Sequence, residues 1–262
     1  MQKVYITDAT KWCNISFGSL NSNPLYYASN LYLNEELVTD IVLSDGVTIV
    51  PGYAFSCDSL TNIIIPDGVT KIGYAAFKNC YNLTEVVLPE TVTSIDTDAF
   101  WCCYNLESIY IPSSVTYMGT TAFANCTGLS NVYIEDIDAW CNISFGGSSA
   151  NPLHYAKNLY LNGELITELV IPDSVTTIGD NAFSSCSSLT SVTIPDSVTT
   201  IGNSAFHGCS SLTSVIFEDP TGWWYADSSS ATSGTTISES DLADASTAAS
   251  YLNYSSKYWF KD

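Results

Sequence analysis

The sequence contains no arginine, only seven lysines and only two histidines in 262 residues. Against these few basic groups stand 27 Asp and Glu residues, so the formal net charge is −20 at pH 7. A chain with this charge is repelled by the phosphates of nucleic acids and by anionic lipid headgroups. We therefore expect no nucleic-acid partner and no binding at an anionic membrane surface.

Long apolar segments are also missing. Runs such as Ile63–Ile65 fall far below the roughly 20 residues that cross a bilayer, so we expect no membrane insertion. The opening MQKVYITDAT has no apolar core and no cleavage site, and therefore predicts no signal peptide. Because its VYI recurs at 132–134, inside the chain, we expect a piece of a longer, exported protein.

The common catalytic and metal-binding motifs are missing as well: the sequence has no HExxH, GxSxG, P-loop or CxxC. His207 and Cys209 could be imagined as base and nucleophile. Cys209, however, occupies a position that recurs as cysteine in five other places. A structural cysteine is the better interpretation. We expect no enzyme activity, no cofactor and no metal.

What the sequence does have is a repeat of 23 residues. Six Ala-Phe pairs mark it, each followed by a cysteine two or three residues later: Ala54-Phe55, Ala76-Phe77, Ala99-Phe100, Ala122-Phe123, Ala182-Phe183 and Ala205-Phe206. The clearest copy, residues 189–209, reads LTSVTIPDSVTTIGNSAFHGC. Its alternating apolar residues end at Pro195, which predicts one very short strand per unit. A turn is expected at Ile201-Gly202.

One such unit cannot bury its own apolar face, so successive units must stack into a solenoid whose strands pair in parallel. Nine strand centres are expected, at Tyr5, Val42, Ile64, Val87, Tyr110, Tyr133, Val170, Thr193 and Ile216.

Two units, at about 5–42 and 133–170, are 37 residues long and match each other at an offset of 128, with 26 identities in 42 positions. Asp8 and Asp136 are expected to cap short helices that hold Trp12 and Trp140. Asn162-Gly163 predicts a tight hairpin. In the first copy Glu35 replaces this glycine, so a different turn is expected there.

The L-x-x-V-x-I-P, I-G and A-F-x-x-C pattern, together with the WCNISFG segments, resembles the BspA-like class of bacterial leucine-rich repeats over roughly residues 4–217. The resemblance implies an α/β, β-rich fold: a right-handed leucine-rich-repeat solenoid with short parallel strands. It also implies a secreted or cell-surface protein of a host-associated bacterium, with a role in adhesion.

We expect residues 1–217 to form the solenoid and residues 218–262 to form a C-terminal cap. Ser240 or Asp244 is expected to cap a helix that contains Ala248, Ala249 and Leu252. Five aromatic residues are expected to pack over the open end of the stack: Trp223, Trp224, Tyr258, Trp259 and Phe260.

The nine cysteines favour free buried thiols over disulfides, because stacked parallel side chains do not meet the geometry of a disulfide. Cys102 falls outside the repeat position and is expected to point outward as a reactive thiol. Acidic residues recur after the strands at Asp45, Asp67, Glu90, Asp173 and Asp196. A solvated acidic edge is favoured over a calcium site.

The remaining candidate site is the face of the strands that points away from the core. Its middle residues form an apolar column, and we predict protein binding at Ile64, Val87, Tyr110, Tyr133, Val170 and Ile216. The opposing interpretation is that these residues are simply good strand formers.

Three functions therefore stay open. The first is a protein-binding scaffold for adhesion, with a host extracellular protein as a candidate partner and weak self-association as a further expectation. The second is a carbohydrate-binding module that uses Trp223, Trp224 and Trp259. The third is a structural spacer in a larger surface protein.

Overall fold

The computed structural model describes residues 3–262 as a stack of short parallel strands linked by loops and a few short helices. One strand of each coil, here called a front strand, alternates exposed and buried residues, as Asp40, Ile41 and Val42 do. In the described chain there are eleven front strands: Val4–Ile6, Leu31–Leu33, Asp40–Val42, Asn62–Ile64, Glu85–Val87, Ser108–Tyr110, Asn131–Ile134, Asn158–Leu161, Glu168–Val170, Ser191–Ile194 and Ser214–Phe217. Parallel pairing places like residues beside each other, for example Tyr110 beside Tyr133.

Seven of the coils also have a second strand of two residues, here called a back strand. The back strands are Ile49–Val50, Lys71–Ile72, Ser94–Ile95, Tyr117–Met118, Ser144–Phe145, Thr177–Ile178 and Thr200–Ile201. The prediction of one strand per unit was therefore wrong. Glycine follows most of these strands because the coils come very close there: a Cβ on Gly119 would lie 2.2 Å from the backbone nitrogen of Thr97.

The two long units each contain an extra front strand, which the count of nine strand centres missed. Val4 pairs with Leu31 in parallel, and Val132 pairs with Leu159 in the same way. Each extra strand is also the first strand of a hairpin. The second strand of that hairpin is Glu36–Leu37 in the first copy and Glu164–Leu165 in the second. A 37-residue unit is therefore one enlarged coil followed by a hairpin link.

Both hairpins use the same turn, which contradicts the expectation that Glu35 changes it. Asn34 and Glu35 have φ values of 51° and 72°, and Asn162 and Gly163 have 52° and 85°. The strand pairings Leu33–Glu36 and Leu161–Glu164 on either side of the turn hold this left-handed geometry.

The short helices are Ala9–Trp12, Leu25–Ala28, Ile137–Cys141, Leu153–Ala156, Glu239–Ala243 and Ala245–Tyr254, with 3-10 turns at Leu20–Ser22 and Ser148–Ala150. The predicted caps at the tryptophan helices are confirmed. The Asp8 carboxylate accepts from the Lys11 amide at 2.9 Å, and the Asp136 carboxylate accepts from the Ala139 amide at 3.0 Å. None of the helices within 3–262 has the length and apolarity that a membrane crossing requires.

The core consists of ladders of identical side chains, as the repeat predicts. Phenylalanine rings of successive coils stack with centroids 5.1 to 5.8 Å apart. Cysteine thiols lie beside them, and the Cys103 thiol donates to the Phe77 carbonyl oxygen of the preceding coil at 3.3 Å. All nine cysteines are free and buried, so the prediction of free buried thiols is confirmed.

Cys102 is buried too, so its expected outward position was wrong. It occupies the left-handed backbone position that Asn79 and Asn125 occupy in the neighbouring coils. The Asn125 side-chain amide, from the next coil, lies 3.5 Å from the Cys102 sulfur. The neighbouring coil therefore covers a side chain that one repeat alone would leave exposed.

The C-terminal segment, residues 218–262, packs against the last coils. Its strand Tyr258–Lys261 pairs antiparallel with the back strand Thr200–Ile201 and with Trp223–Ala226. Asp244 caps the longer helix, as predicted, through the Thr247 amide at 2.9 Å. Ser240 caps no helix, because Ser238 caps the shorter one.

Candidate protein-binding face

The predicted face consists of the outward side chains of the front strands. Val42, Ile64, Val87, Val170 and Ile216 are exposed, and Tyr110, Tyr133 and Thr193 are half-buried. Ile41 and Ile63, their neighbours along the chain, point into the core. The outward orientation of the column is therefore as the alternation predicts.

The hydrogen-bonded pairing of the front strands is interrupted along the column, however. The described front strands fall into separate sheets, and Ile64 lies beside Val87 in one of them, while Tyr110 lies beside Tyr133 in another. Val170 and Ile216 belong to a third sheet, with Thr193 between them. The hairpin at 158–165 separates this third group from the tyrosines, because its antiparallel strand ends the parallel pairing.

At the centre of the face lie three tyrosines from successive strands, Tyr110, Tyr133 and Tyr160, here called the tyrosine ladder. Tyr133 is the register partner of both Tyr110 and Tyr160. The rings of Tyr133 and Tyr160 lie 4.8 Å apart between centroids at an angle of 30°. Tyr160 escaped the sequence prediction because it lies in the enlarged coil, outside the 23-residue register. The alternation in LYL, residues 159–161, is the signal that could have found it.

Carboxylates surround the tyrosine ladder. The Tyr110 hydroxyl donates to Glu90 Oε1 at 2.9 Å. Burial raises the pKa of Tyr110, and the bond to Glu90 and the charge of Glu135 raise it further. Tyr110 is therefore a neutral hydroxyl at physiological pH. Exposed Glu85 and Glu168 begin the front strands Glu85–Val87 and Glu168–Val170, which precede and follow the three strands of the ladder along the chain. The face is aromatic and apolar in the middle with an acidic margin.

The aromatic residues of the C-terminal segment do not have the exposure that the carbohydrate-binding hypothesis requires. Trp223 and Trp259 are each only 1% exposed, so neither offers a free face to a sugar ring. Trp224 is half-buried and stacks on Phe260 with ring centroids 4.5 Å apart. Two of the three predicted sugar-binding tryptophans are therefore core residues, which contradicts that prediction at Trp223 and Trp259.

The polar residues singled out from the sequence do not form a reactive centre. Cys209 is buried, and its thiol donates to the Phe183 carbonyl oxygen at 3.0 Å. Burial raises the pKa of this thiol and so disfavours the thiolate. Within residues 3–262, the acidic residues that follow the strands belong to no group able to hold a metal ion.

The stacked coils, their ladders of like residues and the short parallel front strands define a leucine-rich-repeat protein. The family model for the BspA type leucine rich repeat region matches six copies, over residues 26–151 and 154–250. The chain belongs to this BspA-type family. The family is generally a non-catalytic repeat scaffold. No curated protein matches the sequence significantly.

Among solved structures, a leucine-rich repeat protein of T. pallidum is 25% identical over 66% of this chain and 78% of its own, with a TM-score of 0.43. A leucine-rich repeat protein of Bacteroides ovatus is 28% identical over 69% of this chain and 55% of its own, with a TM-score of 0.36. A leucine-rich cell surface protein of Faecalibacterium prausnitzii is 23% identical over 82% of this chain and 64% of its own, with a TM-score of 0.36.

Proposed function

We propose that this chain is a non-catalytic scaffold that binds another protein through its front strands, with the tyrosine ladder at the centre of the contact. The observation that carries the proposal is the row of Tyr110, Tyr133 and Tyr160, held in register on three parallel strands. Tyrosine offers a large, rigid contact area with a hydroxyl at its tip, which suits the centre of a protein interface. Ile64, Val87, Val170 and Ile216 extend the apolar area on either side.

The charge around the ladder specifies the chemistry of the partner. Glu85, Glu90 and Glu168 are exposed near the apolar column, and the whole chain carries a net charge of −20. A partner segment with exposed lysine or arginine side chains would pair with these carboxylates, and its cations could lie over the tyrosine rings. We propose a host extracellular protein with a basic patch, and adhesion as the role.

The proposal includes an extracellular or cell-surface location, which is the location that the resemblance to the BspA class implies. It also includes a right-handed winding of residues 3–217, the described part of the predicted solenoid, and a capping role for residues 218–262. Trp223 and Trp259 support the capping role because they lie buried between this segment and the last coils. A solenoid needs such a cover for its terminal coil.

The test compares two tyrosine clusters of similar geometry on the same protein. Tyr5 and Tyr32 stack with centroids 4.9 Å apart, as Tyr133 and Tyr160 do, but belong to a separate sheet. The chain is immobilised and screened by biolayer interferometry against purified host extracellular proteins with basic patches. A triple variant, Tyr110→Ala, Tyr133→Ala and Tyr160→Ala, should weaken capture at least tenfold, whereas Tyr5→Ala with Tyr32→Ala should leave it unchanged.

Circular dichroism of both variants must match the unmodified chain. Capture should also weaken as salt is raised, because the acidic margin is screened. Equal capture by the triple variant would overturn the proposal. A complete lack of capture from the panel would favour the structural spacer instead.

A further inference from the structure

The two copies of the long unit have the same groove, but only one copy has it filled. In the second copy, Ile111, Pro112 and Ser113 of the preceding coil close the groove to about 10 Å³, the lower limit for holding a single water. In the first copy the groove is open and measures about 880 Å³. Five lining positions correspond at the offset of 128: Ile6 and Ile134, Asp8 and Asp136, Lys11 and Ala139, Trp12 and Trp140, Ile15 and Ile143.

Side-chain exposure follows the same difference. Ile143 is 3% exposed, whereas Ile15 at the corresponding position is 44% exposed. Phe145 is buried, whereas its counterpart Phe17 is only half-buried. Identical residues therefore lie in the core of the second copy and at the surface of the first. Apolar side chains that are exposed in one copy and buried in the other indicate a contact that the first copy lacks.

The backbone shows the same missing contact. In the second copy the Ser144 amide donates to the Thr116 carbonyl at 2.9 Å, and the Gly146 amide donates to the Met118 carbonyl at 2.8 Å. In the first copy the corresponding amides of Ser16 and Gly18 have no acceptor among residues 3–262. Likewise, Val4–Ile6 pairs only with Leu31–Leu33 in that part of the chain. The acceptors and the pairing strand are what a preceding coil supplies to the second copy.

We infer that this N-terminal face, formed by Val4–Ile6, Trp12 and residues 15–18, is a docking site for one further BspA-type coil. The coil would be joined in front of Val4 and lie in the register that residues 108–118 adopt on the second copy. Its Ile-Pro segment would fill the groove, and its front and back strands would pair with Val4–Ile6 and with Ser16–Phe17. This inference does not depend on the proposed binding function.

A second copy of this chain is a poorer occupant of the same face. In a two-fold contact the same surface meets itself, so two open grooves would face each other. Neither copy would then supply an Ile-Pro ridge like that of Ile111 and Pro112. A coil supplies this ridge and both missing strand partners at once.

One of the five corresponding groove positions differs between the two copies. Lys11 stands where the second copy has Ala139, and its side chain is 83% exposed beside Asp8, with the two charged groups 3.5 Å apart. The side chain of a flexible, exposed lysine can rotate away from the groove, towards solvent, when a coil docks. Replacing it by alanine reproduces the filled copy and removes any obstruction.

The test uses the full chain with its own coil as the occupant. Residues 107–131 are duplicated and joined directly to Val4 in place of residues 1–3, with and without Lys11→Ala. Hydrogen exchange is then followed at single amides by NMR. The Ser16 and Gly18 amides should exchange at least tenfold more slowly than in the unmodified chain and should approach the rates of Ser144 and Gly146.

A matched control carries Ile111→Asp in the duplicated segment only, so that the added coil has a charge where it must fill the groove. This control should leave Ser16 and Gly18 as fast as in the unmodified chain. Unchanged exchange at Ser16 and Gly18 in both versions of the duplication, with and without Lys11→Ala, would overturn the inference. A dimer of the unmodified chain by sedimentation, abolished by Ile15→Asp, would also overturn it in favour of a second copy.

Discussion

Asn151 donates a hydrogen bond to the carbonyl oxygen of Ala182 at 2.9 Å, across 31 residues of sequence. The indole N–H of Trp140 donates to the same oxygen at 2.8 Å. In the first copy, Asn23 and Trp12 make the corresponding bonds to Ala54. A buried asparagine and a buried tryptophan thus tie each enlarged coil to an Ala-Phe unit of a later coil.

Asn151→Ala should be strongly destabilising. Asn151 also donates to the Asn181 carbonyl at 2.8 Å and accepts from the Leu153 amide at 2.8 Å. The substitution leaves these buried groups without their partner, and we expect the free energy of unfolding to fall by about 3 kcal/mol. Urea unfolding measures it. Asn158→Ala, which removes one bond of 3.3 Å at a half-buried site, should cost less than about 1 kcal/mol. Equal losses for the two variants would contradict the prediction.

The buried thiols should make the protein sensitive to alkali. Burial raises the pKa of Cys13 and of Cys141 to about 12, and it raises the pKa of Cys80, Cys103, Cys126, Cys186 and Cys209 as well. A raised folded-state pKa means that the stabilisation is complete below the unfolded pKa of about 8.5 and is lost as pH rises towards the folded pKa. Each such thiol should then lower the free energy of unfolding by about 1.4 kcal/mol per pH unit.

Cys141→Ala isolates one thiol from the others. Urea unfolding at pH 8, 9, 10 and 11 should show a shallower decline for this variant, by about 1.4 kcal/mol per pH unit above pH 9. Its cost at pH 8, where the thiol is mostly protonated in both states, reports mainly the lost packing. Parallel pH profiles for the variant and the unmodified chain would show that the Cys141 thiol is not shielded from ionisation.

Much of the fold can be predicted from the sequence because the repeat register is self-consistent. Phe77 and Phe100 stack because they hold the same position in successive coils, and the same holds for Cys80 and Cys103. The outward column at Ile64 and Val87 follows from simple alternation. Each of these features needs only one unit and its identical neighbour.

The features that the sequence did not reveal depend on contacts between residues that do not hold the same position of the repeat. The back strands have two residues, too few for any alternation to show. Tyr160 lies in an enlarged coil, where the 23-residue register does not apply. Cys102 is buried by Asn125 from the next coil, and the buried state of Trp223 and Trp259 depends on how the C-terminal segment folds back. Such contacts are set by tertiary packing, not by local pattern.

The two hairpins allow a reciprocal test of backbone strain. Glu35 has φ of 72° where Gly163 has 85°, and an L-residue pays about 1–2 kcal/mol in this left-handed region. Part of the gain from glycine is offset by its freedom in the unfolded chain. Glu35→Gly should therefore stabilise the protein by about 0.5–1 kcal/mol, and Gly163→Glu should destabilise it by a similar amount. A Cβ at Gly163 meets nothing within 4 Å, so the second variant changes backbone strain without a clash. Urea unfolding at pH 7 gives both values, and changes of the same sign would show that the two turns are not equivalent.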